Sequence, residues 1–332
     1  MVKADSPATD AAALPRRASG RYTRPRAMEA NLHLHSRYSD GSLWPAEMAL
    51  RARETGLALA ALTDHDSLGG VPEFLAAAKA AGLEALAGCE MDCSLKDLGY
   101  RSEILAYFPE AKGEGDYPAT AAFLRGVARA REKRLRVFVE RSRALFRRSD
   151  LSFEELLARK LGASPPADLR RGELSFSKVD LFEYLKDKGL VEKDLGYREF
   201  RKAYFDSELI KDGRFRRADA AEVAAPVLGD GGILVLPHPG HQFGDDAGRM
   251  RAQKAELVLL LSRFRELGVS GVELYWYRNA HTQAINELVR EAAEPLGYFF
   301  TYGSDCHGPG SGKHTLGQFS GDFRGFPRPP RS

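Results

Sequence analysis

Five short stretches of this chain set imidazoles beside carboxylates. They are His33-Leu34-His35 with Asp40 shortly after, Thr63-Asp64-His65-Asp66, Gly88-Cys89-Glu90, His238-Pro239, and Gly303-Ser304-Asp305-Cys306-His307-Gly308. Mixed imidazole and carboxylate ligands are what borderline divalent cations select. Closely spaced ions of this kind acidify a bridging water to hydroxide near neutral pH. They also clamp the attacking and leaving oxygens of an in-line displacement at phosphorus. Such a site needs no nucleophilic side chain, so the catalytic group is the metal-bound hydroxide.

Ligands this far apart in sequence must be gathered by the fold. Segments 31–35, 57–63, 83–89 and 104–108 read as strands, with helices over 45–55 and 72–81. Pro45 opens the first helix and Gly56 stops it; Gly82 ends the second. Strands alternating with helices predict a parallel sheet, open or closed into a barrel. From about 109 to 228 the rhythm gives way to helix and loop. A long arginine-rich helix spans 121–148, and shorter ones lie near 153–160, 179–188 and 219–225. The last has Asp219 as N-cap and stops before Pro226. Strands resume at 232–236, 271–275 and 298–302, separated by helices near 248–267 and 282–293. None of the 8 histidines falls between His65 and His238. The candidate ligands therefore sit in two β/α halves, at strand ends that share one rim in a parallel barrel.

Composition bounds the rest. The chain has 332 residues, 49 Lys and Arg against 46 Asp and Glu, a net charge of +3, and 43% hydrophobic residues. That excludes collagen-like, wholly disordered and membrane-spanning classes, and the charge is too small to imply a polyanion partner. Cys89, Cys93 and Cys306 are a poor disulfide framework, so the expected compartment is the cytoplasm; Cys89 and Cys93 read as core residues rather than a zinc pair. Residues 1–28 read as a disordered leader and 324–332 as a loose tail. The barrel is expected over 29–110 and 229–323, and a helical insertion over 111–228.

These motifs in combination resemble the PHP (polymerase and histidinol phosphatase) superfamily. The run from Ser39-Asp40-Gly41 through Thr63-Asp64-His65-Asp66 looks most like its free-standing phosphoesterases, which act on nucleotide 3′,5′-bisphosphates and on RNA 5′ ends. The resemblance covers about 30–108 and 230–320. It implies an α/β fold, a distorted seven-stranded β/α (TIM-like) barrel whose helical insertion forms a lid. It implies two or three divalent ions, foremost Mn2+, with Fe2+, Zn2+ or Mg2+ as alternatives. Carried over position by position, His33, His35, Glu90 and Asp305 hold one ion, and Asp40, His65 and His307 another. Glu90, His238 and a fourth-strand residue hold the remaining one. Relatives usually have histidine at that last position, in a pattern like His-Ile-Leu-x-Tyr-Phe. This chain has Glu103-Ile104-Leu105-Ala106-Tyr107-Phe108. The harder carboxylate favours manganese, iron(II) or magnesium over zinc there. The alternative reading of Glu103 is an ion pair with a lid arginine.

Phosphate needs positive donors. Relatives carry a basic residue after the His-Pro pair, here His241, and a histidine in the loop where His281 lies. Lys178, Arg170 and Arg171 are further candidates within the insertion, and Asp64 could orient an imidazole or stabilise its own turn. The arginine-rich helix is either a solvated face or a basic lid over the rim. Three functions stand: a phosphoesterase for nucleotides or short RNA, a phosphatase for another small monoester such as a histidinol phosphate-like compound, and a non-catalytic metal-binding scaffold. The expected partner is a small phosphorylated substrate, with no membrane and no obligate protein partner.

Overall fold

The computed structural model describes residues 29–111, 114–210, 217–313, 315–322 and 326–327. The leader 1–28, His314 and most of the tail from 324 lie outside the described residues. In chain order the first half contains β1 (Glu29–Leu34), α1 (Pro45–Glu54), β2 (Leu59–Leu62), α2 (Val71–Ala81), β3 (Glu84–Leu95) and β4 (Tyr100–Phe108). Helices follow: α3 (Pro118–Phe146), α4 (Phe153–Leu161), α5 (Lys178–Asp187), α6 (Tyr197–Phe200) and α7 (Ala220–Gly229). The second half contains β5 (Ile233–Leu236), α8 (Ala247–Ala252), α9 (Lys254–Glu266), β6 (Val269–Tyr275), α10 (Thr282–Ala293), β7 (Phe299–Gly303) and β8 (Gly321–Asp322).

The strands form one sheet in the order β7-β6-β5-β4-β3-β2-β1-β8. It curls until the end of β1 meets the segment after β7. There the His35 N–H donates to the Cys306 carbonyl at 2.9 Å and the Cys306 N–H to the His33 carbonyl at 3.2 Å. The barrel is thus nearly closed at the rim that carries the histidines. The expected seven strands become eight because the two-residue β8 pairs antiparallel with β1.

The wholly parallel sheet expected from the β/α rhythm is corrected at β4, which runs antiparallel to both β3 and β5. The connection between β3 and β4 is a single 3-10 turn, Lys96–Leu98, closed by Gly99 at a φ of 63°. A link this short cannot make a parallel crossover. The reversal has a functional consequence. A reversed strand brings its N-terminal half to the rim where its neighbours end, and Glu103 lies in that half, paired across from Asp92.

Two helix expectations change as well. α7 runs through Pro226 to Gly229, because its buried Val223, Ala224 and Val227 hold it against the barrel. The single helix expected near 248–267 is divided at Gln253 into α8 and α9. Four apolar clusters form among the described residues. Leu32, Leu59, Ala61, Tyr107 and Val235 are among those plugging the barrel with Phe326, whose ring packs edge-on against Tyr107 and Phe299. At that position the tail is packed rather than loose. α3 to α6 build a cluster of their own around Phe138, Phe153, Leu181 and Phe200, joined by Tyr38 and Trp44 from the loop after β1. No helix among the described residues is long and apolar enough to cross a membrane.

Candidate metal centre

His33 and His35 lie two residues apart at the end of β1, and both imidazoles face Glu90 on β3. His33 Nε2 and His35 Nε2 are 3.2 and 3.4 Å from Glu90 Oε2. His65, just past β2, bridges on to Glu90 and places its Nδ1 3.1 Å from the same oxygen. His238, at the end of β5, places Nε2 2.9 Å from Glu90 Oε1 and 3.8 Å from Glu103 Oε2. Asp305 Oδ1 is 3.1 Å from His35 Nε2 and 3.8 Å from His33 Nε2. Asp40 Oδ1 lies 3.1 Å from His307 Nε2 and 3.8 Å from His65 Nε2. Glu90 is thus the centre of the cluster, touched by four imidazoles.

The donor atoms fall into three groups whose members lie within 4.8 Å of one another: His35 with Asp40, His65 and His307; His33 with His35 and Glu90; and Glu90 with Glu103 and His238. His35 is shared between two of them. Asp305 borders both of His35's groups, and its other oxygen accepts from Tyr275 Oη at 2.8 Å and from Lys313.

Buried polar atoms ordinarily find hydrogen-bond partners. Here His33 Nε2, both ring nitrogens of His35, His65 Nδ1, Asp40 Oδ1, Glu90 Oε2 and Asp305 Oδ1 are buried without one, and all belong to this cluster. Ligand atoms that converge in this way without partners are what a set of cations satisfies. Burial and the neighbouring His307 push His35 down to about 3, so it stands as a neutral imidazole, the form that ligates. The residues therefore fit divalent metal ions. Strained backbone supports the cluster: Asp66, His238 and Asp305 have φ of 47°, 31° and 53°, conformations that cost non-glycine residues about 1–3 kcal/mol each.

Asp64 orients no imidazole. Its carboxylate accepts from the Ser36 N–H at 2.7 Å, Ser36 Oγ at 2.6 Å and Ser39 Oγ at 2.5 Å. It fastens the turn that delivers Asp40. Lys160 of α4 pins the same turn from above, donating to the Ser39 carbonyl and to Asp180.

The residue that orients the imidazoles was not singled out from sequence. Glu273, buried in β6, sits 2.8 Å from His33 Nδ1 and accepts the backbone N–H of His238 at 3.0 Å. The available signal was a lone carboxylate in an otherwise apolar strand. Gly303 makes room for it, since a Cβ there would lie 1.8 Å from Glu273 Oε1. Arg131, Arg217, Asp92 and Lys313 were also missed as individual site residues. Arg217 is 3.9 Å from Glu103 Oε1 and 3.4 Å from Asp92 Oδ2. Glu103 thus has both the imidazole and the arginine neighbours weighed for it, and burial with Glu90 and Asp92 nearby raises its carboxyl pKa.

Over the cluster lies a cavity of about 560 Å³. Asp40, His65, Glu90, Glu103, His238 and Asp305 line its floor. Its other wall comes from the helices, with Arg134, Phe138, Lys178, Tyr197 and Arg201. Of the arginine-rich helix, Arg131 and Arg134 face this cavity, while Arg136 and Arg143 pair with carboxylates on the outer face. α3 thus turns some arginines to the cavity and others to solvent. His241 also lines the cavity, stacked on His238 at 4.4 Å. His281, Arg170 and Arg171 do not line it. His281 Nδ1 accepts the Ala247 N–H at 3.0 Å at the start of α8, and Arg170 is 3.9 Å from Glu173.

Residues 31–155 match the PHP domain family. A 3′,5′-nucleoside bisphosphate phosphatase from Chromobacterium violaceum is 30% identical over 289 residues, covering 86% of this chain and 90% of that protein. A phosphoribosyl 1,2-cyclic phosphate 1,2-diphosphodiesterase from Eggerthella lenta is 27% identical and covers 85% and 95%. Among solved structures, an amidohydrolase from Chromobacterium violaceum with bound sulfate superposes with a TM-score of 0.63 at 25% identity, covering 85% of this chain and 88% of that one. A structure from Bifidobacterium adolescentis shares the fold, with a TM-score of 0.62 at 23% identity over 87% and 91% of the two chains.

Proposed function

This chain belongs to the PHP domain family and is a metal-dependent phosphoesterase, and we propose that it removes a phosphate from nucleoside 3′,5′-bisphosphates. The observation that carries this reading is the division of one cavity into two chemistries. The floor is a set of imidazoles and carboxylates whose ligand atoms converge, several of them buried without a hydrogen-bond partner. The wall contributed by α3, α5 and the end of α6 presents Arg134, Lys178 and Arg201. A bisphosphate satisfies both ends at once, whereas a monophosphate leaves one unused. The relatives whose names include a bisphosphate phosphatase and a cyclic phosphate diphosphodiesterase support a small phosphorylated substrate.

The floor would hold two or three divalent ions. His33, His35, Glu90 and Asp305 form one set, Glu90, Glu103 and His238 another, and Asp40, His65 and His307 a further one with His35 beside it. A set this rich in carboxylate favours manganese. When bound, such ions supply an acidified water and neutralise charge at phosphorus. The protein's own share is positional. Glu273 fixes His33 and the His238 backbone, Asp64 and Lys160 fix the Asp40 turn, and Lys313 with Tyr275 holds Asp305. The cations of the far wall orient the second phosphate, and Phe138 and Tyr197 help exclude water above it. Segment 111–228 acts as a lid on a barrel of 29–110 and 229–323. Cytoplasmic residence is supported by three buried, unpaired cysteines.

The test compares manganese-loaded enzyme on a nucleoside 3′,5′-bisphosphate, a 5′-monophosphate, histidinol phosphate and a 5′-phosphorylated short RNA. Charge-assisted contacts at the second phosphate should favour the bisphosphate in kcat/KM by about tenfold to a hundredfold over the monophosphates. Lys178→Met should erase that preference, and His33→Ala or Asp305→Ala should abolish turnover with the fold intact. Equal turnover of monophosphate and bisphosphate would overturn the substrate assignment.

A further inference from the structure

One guanidinium ties the floor of the cavity to its far wall. Arg131 projects from α3 and is 10% exposed. Its Nε donates to Asp66 Oδ2 at 2.8 Å, and its Nη2 contacts the same oxygen and lies 2.9 Å from Asp92 Oδ2. Its Nη1 donates to the Phe176 carbonyl at 3.1 Å. Each contact leads to a different part of the site. Asp66 follows His65 directly, and its N–H donates to the Glu90 carbonyl at 2.7 Å. Asp66 Oδ1 accepts the Asp92 N–H at 3.0 Å. Asp66 therefore grips β3 on both sides of Met91, beside Glu90. Phe176 precedes Ser177 and Lys178, which line the far wall.

We propose that Arg131 is a positioning residue that couples the metal floor to the phosphate-binding wall, through Asp66 and Asp92 on one side and Phe176 on the other. Asp66 and Asp92 face each other beside Glu90 and Glu103, and the planar fork of Arg131 hydrogen-bonds Asp66, pairs its charge with Asp92 and keeps one N–H for the Phe176 carbonyl. Lysine offers charge without that fork. It can neutralise the two aspartates but cannot also hold Phe176 at the same geometry. The two roles are therefore separable by substitution. The floor role stands on the metal-binding residues alone; the wall role rests on the bisphosphate reading.

The experiment uses the full-length protein with Arg131→Met and Arg131→Lys. Manganese affinity is measured by calorimetry without substrate. Steady-state constants are measured on a nucleoside 3′,5′-bisphosphate and on p-nitrophenyl phosphate, with melting temperature alongside. Arg131→Met should weaken manganese binding about tenfold, the usual cost of removing a group that supports a ligand, and lower kcat on both substrates. Arg131→Lys should keep manganese affinity within about threefold, with the charge retained, and raise KM for the bisphosphate alone. A fall in melting temperature with metal affinity and both kinetic constants unchanged in the folded variants would overturn the proposal and leave Arg131 a structural brace. If the bisphosphate is not a substrate, the calorimetry still decides the floor role. If Arg131→Met does not fold, Arg131→Lys against wild type decides the wall role through the KM split.

Discussion

Glu273 Oε1 lies 2.8 Å from His33 Nδ1 while its Oε2 accepts the His238 backbone N–H at 3.0 Å. One carboxylate thus fixes ligand positions from opposite halves of the chain, 240 residues apart at the first contact. An Nδ1–H given to Glu273 leaves His33 Nε2 as a lone pair directed at the Glu90 cluster, a tautomer assigned from that hydrogen bond.

Glutamine at 273 cannot accept from both partners, which the ligating tautomer of His33 requires. Its amide offers one acceptor oxygen, so either His33 or the His238 N–H must face an NH2 group. Glu273→Gln should therefore keep the fold and weaken metal binding by about 10–100-fold, read by calorimetry with manganese. Gly303→Ala should disturb the same unit from the other side. Its methyl would overlap Glu273 Oε1 and lie 2.6 Å from His33 Cβ, at a cost of about 1–3 kcal/mol from overpacking, read by denaturant unfolding. Unchanged metal affinity in Glu273→Gln would remove Glu273 from its orienting role.

Glu103 lies 3.8 Å from His238 Nε2 and 3.9 Å from Arg217. Glu103→Ala should lower the number of manganese ions retained after desalting, counted by elemental analysis. Glu103→His should shift activation from manganese toward zinc, because imidazole is the softer ligand. An unchanged metal count in Glu103→Ala would mean that Glu103 holds no metal and serves as a partner of Arg217 and Ser102.

The convergence of the floor's residues was legible in sequence because its imidazoles and carboxylates sit where strands end. His33, His35, His65, Glu90, His238, Asp305 and His307 need only the β/α rhythm to be brought to one rim. The direction of β4 was not legible from that rhythm, although the short Lys96–Leu98 link to Gly99 does encode it. Arg131 was hidden for another reason. Sequence shows many cations on α3, and which of them turns inward depends on how the helix rotates against the barrel, a property of packing between distant segments. Glu273 is a middle case, a charge in an apolar strand whose partner lies in the other half of the chain. His281 shows the opposite error: a histidine near the rim in sequence whose ring caps α8 instead.

Lys178 should give the activity an alkaline limb. Burial, with Arg134 and Arg201 adding repulsion, pushes its amine down to about 8; Arg217 adds to the repulsion and Asp206 opposes it. Below that value the ammonium is present for a phosphate, and as pH rises through it the charge is lost. The free enzyme's ionisation appears in kcat/KM. For the bisphosphate, kcat/KM should fall above pH about 8, and Lys178→Arg should carry the limb to higher pH because guanidinium stays charged. Identical alkaline limbs in wild type and Lys178→Arg would assign the limb to another group.

Two histidines near the rim should separate cleanly. His241 lines the cavity and binds Asp245 through Nδ1 at 2.6 Å, which leaves Nε2 for a ligand. His281 uses its Nδ1 to accept the Ala247 N–H. Removing the first takes a hydrogen-bond acceptor from the cavity wall, since Nδ1–H is given to Asp245 and burial with His238 nearby lowers the ring's pKa, so His241→Ala should raise KM by about threefold to tenfold, the worth of one hydrogen bond. Removing the second takes a partner from a helix start, so His281→Ala should cost about 1 kcal/mol of stability while kcat and KM stay at wild-type values. Because the two residues flank the same loop cluster, a general disturbance there would move both sets of constants together. A KM increase in His281→Ala equal to that in His241→Ala would show that loop placement, not a contact from His241, governs substrate binding.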